Sequence, residues 1–190
     1  MITLIYGGSS SGKSEFAEDY ISSLKNSNKF YLATMKASDT ESIARIQRHR
    51  NLRKDKDFVT LEHDVDIKNS VSEIIKISDN NLHGTLESSA HGSSSILLEC
   101  MSNLVANEMF REGKIISSEK CIEKISGDLK ALYKTADNVV IVSNNIFEDG
   151  LKYDTVTNDY LNALGKINRI IANDADEVYE VVVGIPLKIK

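Results

Sequence analysis

The chain alternates between short apolar runs and longer segments in which apolar residues recur at helical spacing. Short runs rich in β-branched residues are typical of strands, and a recurrence every three or four residues is typical of a helix with one buried face. Several of the runs are apolar at every position, which favours central parallel strands that are covered on both faces. The pattern predicts strands at 2–6, 30–34, 58–61, 95–99, 139–143 and 178–183, and a short strand near Leu187.

The segments between these strands predict helices at 13–24, 41–52, 66–77, 103–111, 118–135 and 156–173. Strands that alternate with helices indicate an α/β fold, with a mostly parallel central sheet and helices on both faces. A chain of 190 residues is long enough for one substantial core and short for two, so residues 1–190 are predicted to form a single domain. Segment 78–94 is polar and lacks periodicity, and we predict that it is a mobile loop insertion.

Composition limits the partners of the chain. With 23 basic and 28 acidic residues and a net charge of -5, nothing favours general binding to nucleic acid or to an anionic membrane, so any affinity for phosphate has to be local. Apolar runs stay well below the roughly 18 residues that span a bilayer, so no membrane insertion is expected. Two cysteines and a start unlike a signal peptide favour reduced thiols and a cytoplasmic location.

The first predicted strand runs directly into a glycine-rich motif of the form G-x-x-x-x-G-K-S, and a helical segment follows the motif. Backbone N–H groups in such a loop and the positive end of the helix bind a polyphosphate together. Lys13 adds a charge toward the β and γ phosphates, and the Ser14 hydroxyl is suited to Mg²⁺. The alternative, a plain connecting turn, does not require this motif between these flanks. We therefore predict a P-loop NTPase-like (RecA-like) fold whose triphosphate site consists of Gly7, Gly8, Ser9, Ser10, Ser11, Gly12, Lys13 and Ser14.

The predicted helix 41–52 is unusually basic for an acidic protein. Arg45, His49 and Arg53 stand four residues apart, so they share one face if the helix extends that far. Like charges so close favour a bound anion, and a neutral imidazole beside arginines can attack phosphorus. From these residues alone, a solvated basic face with an incidental histidine remains the simpler interpretation. Glu99 ends its strand where P-loop proteins place an acidic group, and it is a candidate Mg²⁺ or nucleotide contact.

These features together resemble the bifunctional adenosylcobinamide kinase / adenosylcobinamide-phosphate guanylyltransferase family, over nearly the whole chain. The P-loop and His49-Arg50 carry the resemblance, together with a series of short motifs in the same order. That series comprises Tyr31-Leu32-Ala33-Thr34, Ala44-Arg45-Ile46, Leu97-Leu98-Glu99-Cys100, Val142-Ser143-Asn144, Gly165-Lys166-Ile167-Asn168, Ala175-Asp176-Glu177-Val178 and Val182-Val183-Gly184-Ile185-Pro186. The chain departs from the family pattern at Ser10, Lys54, Asn145 and Asn162.

The resemblance implies roles for particular residues. His49 would become covalently guanylylated by GTP, and Lys13 would act on the phosphates as the second catalytic residue. Nucleotide contacts beyond the P-loop are implied for Ala33, Thr34, Met35, Arg50, Asn51, Leu52, Arg53, Glu62 and Glu99.

The resemblance also implies a two-step activity in cobalamin biosynthesis. ATP or GTP would phosphorylate the aminopropanol hydroxyl of adenosylcobinamide, and GMP would then pass from GTP through a GMP-histidine to give adenosylcobinamide-GDP. A homotrimer is implied as well. Two other functions remain open on the sequence: a single-function P-loop kinase for another small alcohol, and a non-catalytic regulator that binds GTP.

Overall fold

The computed structural model describes residues 1–24, 28–82, 93–147 and 150–190. Its strands are β1 (Ile2–Gly7), β2 (Asn28–Ala33), β3 (Phe58–Glu62), β4 (Ser94–Glu99), β5 (Asn138–Asn144), β6 (Glu177–Val182) and β7 (Ile185–Lys188). Its α-helices are α1 (Lys13–Ser23), α2 (Thr40–Leu52), α3 (Ser70–Leu82), α4 (Met101–Met109), α5 (Ser118–Tyr133) and α6 (Thr155–Asp174). Each predicted strand and helix is present, with bounds that differ by a few residues.

The strands form one sheet in the order β3-β2-β4-β5-β1-β6-β7. Neighbouring strands are parallel from β3 to β6, and β7 returns antiparallel to β6. The predicted α/β class with a mostly parallel sheet is confirmed. Because parallel strands end at the same edge, the residues that follow β1, β2, β3 and β4 meet at the carboxyl edge of the sheet.

Both faces of the sheet are buried, because successive strand residues point to opposite sides. Leu4, Leu98 and Ile141 pack on one face with residues of α3, α4, α5 and α6. Ile5 and Leu97, their neighbours along the chain, pack on the other face against Ala17 and Ile21 of α1. The continuous apolar runs of the sequence therefore reflect helices on both faces. Among the residues that the structure describes, no helix is long and apolar enough to cross a bilayer.

The predicted loop 78–94 is corrected at both of its ends. Helix α3 extends through Leu82, and β4 begins at Ser94. Apolar residues at Val71, Ile74 and Ile77 hold α3 against the core, and the polar residues after them continue the helix because no glycine or proline interrupts them. Residues 83–92, the remainder of that predicted loop, lie outside the described part of the chain.

Candidate active site

The P-loop connects β1 to α1 and is fastened to the hairpin of β6 and β7. The Gly184 amide donates a hydrogen bond to the Ser11 carbonyl at 2.8 Å. A Cβ on Gly7 would lie 2.5 Å from the Val181 carbonyl oxygen, and one on Gly12 would lie 3.2 Å from the Gly184 Cα. Gly12 also has a φ of +95°, which favours glycine. The glycines of the motif are thus required by the close approach of this hairpin as well as by the loop conformation.

Lys13 of the P-loop and Glu99 at the end of β4 are oppositely charged groups that affect each other's pKa. The Lys13 side chain is 5% exposed, and its ammonium donates a hydrogen bond to the Gly8 carbonyl. Burial lowers the pKa of Lys13, and the charge of Glu99 opposes this. Burial raises the pKa of Glu99 to about 7, against the opposing effects of the Ser14 hydrogen bond and of Lys13. Because both groups are shielded from water, a charged ligand beside them would interact with them more strongly than with exposed side chains.

Ser14 and Glu99 are suited to hold Mg²⁺. The Ser14 hydroxyl donates to Glu99 Oε1 at 2.7 Å. Glu99 Oε2 is buried and has no hydrogen-bond partner among the described residues, so it retains acceptor capacity. A hydroxyl and a carboxylate are the hard oxygen ligands that Mg²⁺ prefers, and the ion usually completes its shell with phosphate oxygens and water. The residues present therefore fit the predicted metal.

Helix α2 begins at a capping box and ends over the sheet. Asp39 accepts the Ser42 amide at 2.7 Å, and the Ser42 hydroxyl accepts the Asp39 amide at 3.0 Å. At the other end Arg53 is 6% exposed, and its guanidinium carbon lies 3.4 Å from the centroid of the Tyr31 ring. Arg53 Nη1 is buried and lacks a hydrogen-bond partner within the described chain. This nitrogen is a buried cationic donor in need of an anionic acceptor.

A small hollow, which we call the nucleotide hollow, lies between the end of α2 and the ends of β2, β3 and β4. His49, Arg50, Arg53, Glu62, Glu99, Ala33 and Met35 line it, together with Tyr31, Ile46 and Thr60. Its volume is about 30 Å³. The hollow thus unites most of the residues that the sequence nominated beyond the P-loop. In particular, His49 and Glu99 both line it, and Glu99 accepts a hydrogen bond from Ser14 of the P-loop.

Beyond the P-loop, Thr34 and Asn51 are the two predicted contacts with described side chains that do not line the hollow. Thr34 is fully buried, and its hydroxyl exchanges hydrogen bonds with the Cys100 carbonyl and amide, each at 2.8 Å. Asn51 is exposed and accepts a hydrogen bond from Gln47 at 3.2 Å. The side chains of Leu52 and Arg45 lie outside the described part of the structure, so the shared face is established for His49 and Arg53 alone.

Two residues of the site were not predicted as site residues from the sequence. Tyr31 supplies the ring beneath Arg53, and Asn107 donates to the Thr34 carbonyl at 2.9 Å and to the Asp64 carbonyl at 3.0 Å. Alternation along β2 identifies the face on which Tyr31 lies, but nothing local pairs it with an arginine 22 positions later. A helical asparagine at Asn107 carries no signal of its own, since polar residues are ordinary on helices.

Comparison with known proteins identifies the family of the chain. A family model described as cobinamide kinase / cobinamide phosphate guanyltransferase matches residues 3–189. The chain is 28% identical over 199 residues to the bifunctional adenosylcobalamin biosynthesis protein CobU of Escherichia coli K12, and 28% identical to the protein of that name from Salmonella typhimurium LT2. Both alignments cover 100% of this chain and 100% of the relative.

Two solved structures share the fold. One is an ATPase domain that superposes with a TM-score of 0.54 at 17% identity, over 94% of this chain and 68% of that one. The other is the KaiC-like protein PH0186 from Pyrococcus horikoshii, which superposes with a TM-score of 0.52 at 11% identity, over 94% and 71%. The family model matches nearly the whole chain, and the glycine loop and the charged residues around it suit such an enzyme. This chain therefore belongs to the cobinamide kinase / cobinamide phosphate guanyltransferase family, and it is a bifunctional kinase and nucleotidyltransferase with the P-loop NTPase fold.

Proposed function

We propose that this chain phosphorylates adenosylcobinamide with ATP or GTP and then transfers GMP from GTP, through a GMP-histidine at His49, to give adenosylcobinamide-GDP in cobalamin biosynthesis. The supporting observation is that His49 and Glu99 line one hollow, while Glu99 accepts a hydrogen bond from Ser14 of the P-loop. One triphosphate site can therefore serve both reactions. The family to which the chain belongs carries both activities in its description.

In the first step the residues around the P-loop would position and neutralise the triphosphate. The hydroxyl oxygen of the acceptor would attack the γ-phosphorus and lose its proton to solvent, the bond from the γ-phosphorus to the bridging oxygen would break, and a nucleoside diphosphate would leave. Lys13 and the loop amides would stabilise the charge that develops on the phosphates, and the burial of Lys13 would strengthen its effect. Mg²⁺ held by Ser14 and Glu99 would neutralise further phosphate charge when it is bound.

In the second step the neutral His49 imidazole would attack the α-phosphorus of GTP, and pyrophosphate would leave. GMP then moves from the histidine to the phosphate of the acceptor, which restores the imidazole. Arg50 and Arg53 line the same hollow, and their charges would stabilise the transferring group. Two displacements avoid a direct attack of one anionic phosphate on a polyphosphate.

Nucleotide binding has to enlarge the nucleotide hollow, since about 30 Å³ holds roughly one water molecule. Arg50 and Glu62 form an ion pair across it, with side chains 48% and 60% exposed. Exposed pairs contribute about 0–1 kcal/mol, so this pair can separate at little cost. A released Glu62 carboxylate offers two acceptor oxygens to the N1–H and amino group of guanine. Adenine lacks that donor pair, which supports GTP rather than ATP as the nucleotide of the second step.

The proposal extends to the assembled protein: residues 1–190 as one domain, in a cytoplasmic homotrimer. Ile185 and Leu187 of the edge strand β7 are exposed by 59% and 49%, and Val183 and Ile189, just before and just after that strand, are exposed by 82% and 63%. An apolar row of this kind suits packing against another copy. Cys100 and Cys121 are free, which suits a reducing compartment. Sedimentation equilibrium at several concentrations tests the subunit number, and a monomeric mass contradicts the trimer.

GTP labelled at the α-phosphate tests the mechanism. Incubation without a corrinoid acceptor should leave acid-labile label on denatured protein, at one per chain or below. The label should vanish in His49→Ala and persist in His63→Ala, a matched control in which the lost imidazole contacts Glu73 at 2.9 Å instead of lining the hollow. Kinase activity without covalent label favours the single-function kinase. Tight nucleotide binding without turnover of adenosylcobinamide favours the regulator.

A further inference from the structure

We propose that a second, larger cavity at the carboxyl edge binds the corrin macrocycle of the acceptor; this assignment rests on the proposed function. The cavity, which we call the acceptor cavity, is enclosed by residues after β2, by residues after β3 and by one side of α4. Met35, Asp64, Asn103, Asn107 and Phe110 represent these walls. Its volume is about 660 Å³, within the range of roughly 300–1,000 Å³ that is usual for small-molecule sites.

The charges on the walls of the acceptor cavity do not favour a polyphosphate. They comprise two cations and three carboxylates: Lys36, Arg111, Asp39, Asp64 and Glu112. The cations are also engaged or exposed, since Arg111 pairs with Asp66 at 2.6 Å and Lys36 lies at the surface. A triphosphate would meet a surplus of negative charge here. A ligand without anionic groups fits this balance better.

The uncharged groups of the cavity match the chemistry of cobinamide, a flat macrocycle with amide side chains around its rim. Asn103, Asn107, Ser38 and Ser42 supply amide and hydroxyl groups, each able to donate and accept hydrogen bonds with primary amides. Met35, Val65, Ala106 and Phe110 supply apolar surface. Phe110 is 42% exposed at the end of α4, as an aromatic side chain that stacks on a macrocycle face would be.

The acceptor cavity adjoins the nucleotide hollow. Met35 lines both spaces. Asn107, on the cavity wall, donates to the Thr34 carbonyl at 2.9 Å, and the Thr34 amide donates to the Glu99 carbonyl at 3.0 Å. The buried residue Thr34 thus lies between the two spaces. Because they are so close, the aminopropanol arm of a macrocycle in the cavity would extend toward the phosphates. The same position would later present the acceptor phosphate to His49.

The wall formed by α4 is fixed before any ligand binds. Asn107 joins the ends of two strands, since it also donates to the Asp64 carbonyl at 3.0 Å. Arg111 ties the end of α4 to Asp66, which in turn pairs with Lys124 of α5 at 2.9 Å. A pre-formed wall reduces the ordering cost of binding a rigid macrocycle.

Ala106→Trp tests the acceptor cavity because Ala106 lines it on α4, where a large side chain would fill the space. The Michaelis constant for adenosylcobinamide should rise about tenfold or more, as expected when a pocket loses room for its ligand. The constants for ATP and GTP, and the formation of GMP-histidine from GTP alone, should not change. Ala44→Trp is the matched control, because Ala44 is an exposed helical alanine of α2 that lines neither space.

Phe110→Ala gives a second variant at an exposed position, and GMP-histidine formation reports whether each variant is folded. A rise of about threefold to tenfold in the adenosylcobinamide constant is expected for the loss of an aromatic contact. An unchanged constant in both variants overturns the acceptor cavity and leaves the proposed function intact. Loss of nucleotide affinity in Ala106→Trp also overturns it, because the cavity then belongs to the nucleotide site.

A titration of adenosylcobinamide without nucleotide, followed by corrinoid absorbance, separates this inference from the proposed function. Binding by the wild type that is lost in Ala106→Trp supports the cavity even if no phosphorylation is observed. Turnover by the wild type with normal binding in Ala106→Trp supports the function and contradicts the cavity. Absence of both binding and turnover in the wild type contradicts both.

Discussion

The nucleotide hollow and the acceptor cavity adjoin at the same edge of the sheet, yet their charged side chains differ in burial and in pairing. Around the hollow and the P-loop, Lys13 and Arg53 are 5% and 6% exposed, and Glu99 keeps one oxygen without a hydrogen bond within the described structure. On the cavity wall, Arg111 is paired with Asp66 and partly exposed. Buried charge costs several kcal/mol unless it is compensated. This difference supports both proposals: an ionic ligand would supply the missing partners in the hollow, and a ligand that is not anionic would fit the cavity.

Lys13→Ala is the strongest test of this contrast. Removal of the proposed phosphate contact should lower both the kinase rate and the rate of GMP-histidine formation by about 10²–10³-fold. Binding of adenosylcobinamide, measured by corrinoid absorbance, should not change, because Lys13 does not line the acceptor cavity. Lys134→Ala, at an exposed lysine after α5, is the control. If corrinoid binding in Lys13→Ala fell as much as the two nucleotide reactions, the nucleotide hollow and the acceptor cavity would not be separate binding sites.

Glu99→Gln tests the burial of charge through stability, in protein without nucleotide or Mg²⁺. Burial raises the pKa of Glu99 from its usual 4.5 to about 7, so the folded state binds more protons than the unfolded state between these values. The stability due to the protonated carboxyl is therefore full below about pH 4.5 and decreases as pH rises to about 7. Between pH 5 and pH 8, the free energy of unfolding of the wild type, relative to that of Glu99→Gln, should fall by about 2–3 kcal/mol.

Urea unfolding of both proteins at pH 5 and pH 8 measures this difference, and the subtraction cancels the titrating groups that do not interact with Glu99. A difference between wild type and Glu99→Gln that is independent of pH would show that Glu99 ionises as readily as an exposed carboxylate. The hollow would then lack the burial on which the contrast depends.

Tyr31→Leu has the smallest expected effect and sharpens the contrast within the hollow itself. The Tyr31 ring holds the Arg53 guanidinium at 3.4 Å, and such a contact contributes about 0.5–2 kcal/mol. We therefore expect the Michaelis constant for GTP to rise about threefold to tenfold, with little change for adenosylcobinamide. Tyr31→Phe keeps the ring and should behave as the wild type. If the two variants have the same constants, the stacked ring does not position Arg53.

Much of the fold and part of the site followed from the order of residues. Strands, helices and the P-loop are local features: they depend on alternation, helical spacing and a motif of consecutive residues. The end of α3 was misplaced because polar composition in 78–82 outweighed the helical continuation, which packing at Ile74 and Ile77 supports. The nomination of His49 depended on the family resemblance, since its neighbours alone favoured a solvated basic face.

The sequence by itself determined the α/β class, the phosphate-binding loop and the residue types available for catalysis, because each is encoded within a few neighbouring positions. Only the tertiary structure decided which of them meet. Ser14 contacts Glu99 across 85 positions, and Asn107 contacts Thr34 across 73. These contacts depend on the strand order β3-β2-β4-β5-β1-β6-β7, which brings the ends of distant strands to one edge. The acceptor cavity arises from the same order, because its walls come from three segments that are separate in the chain.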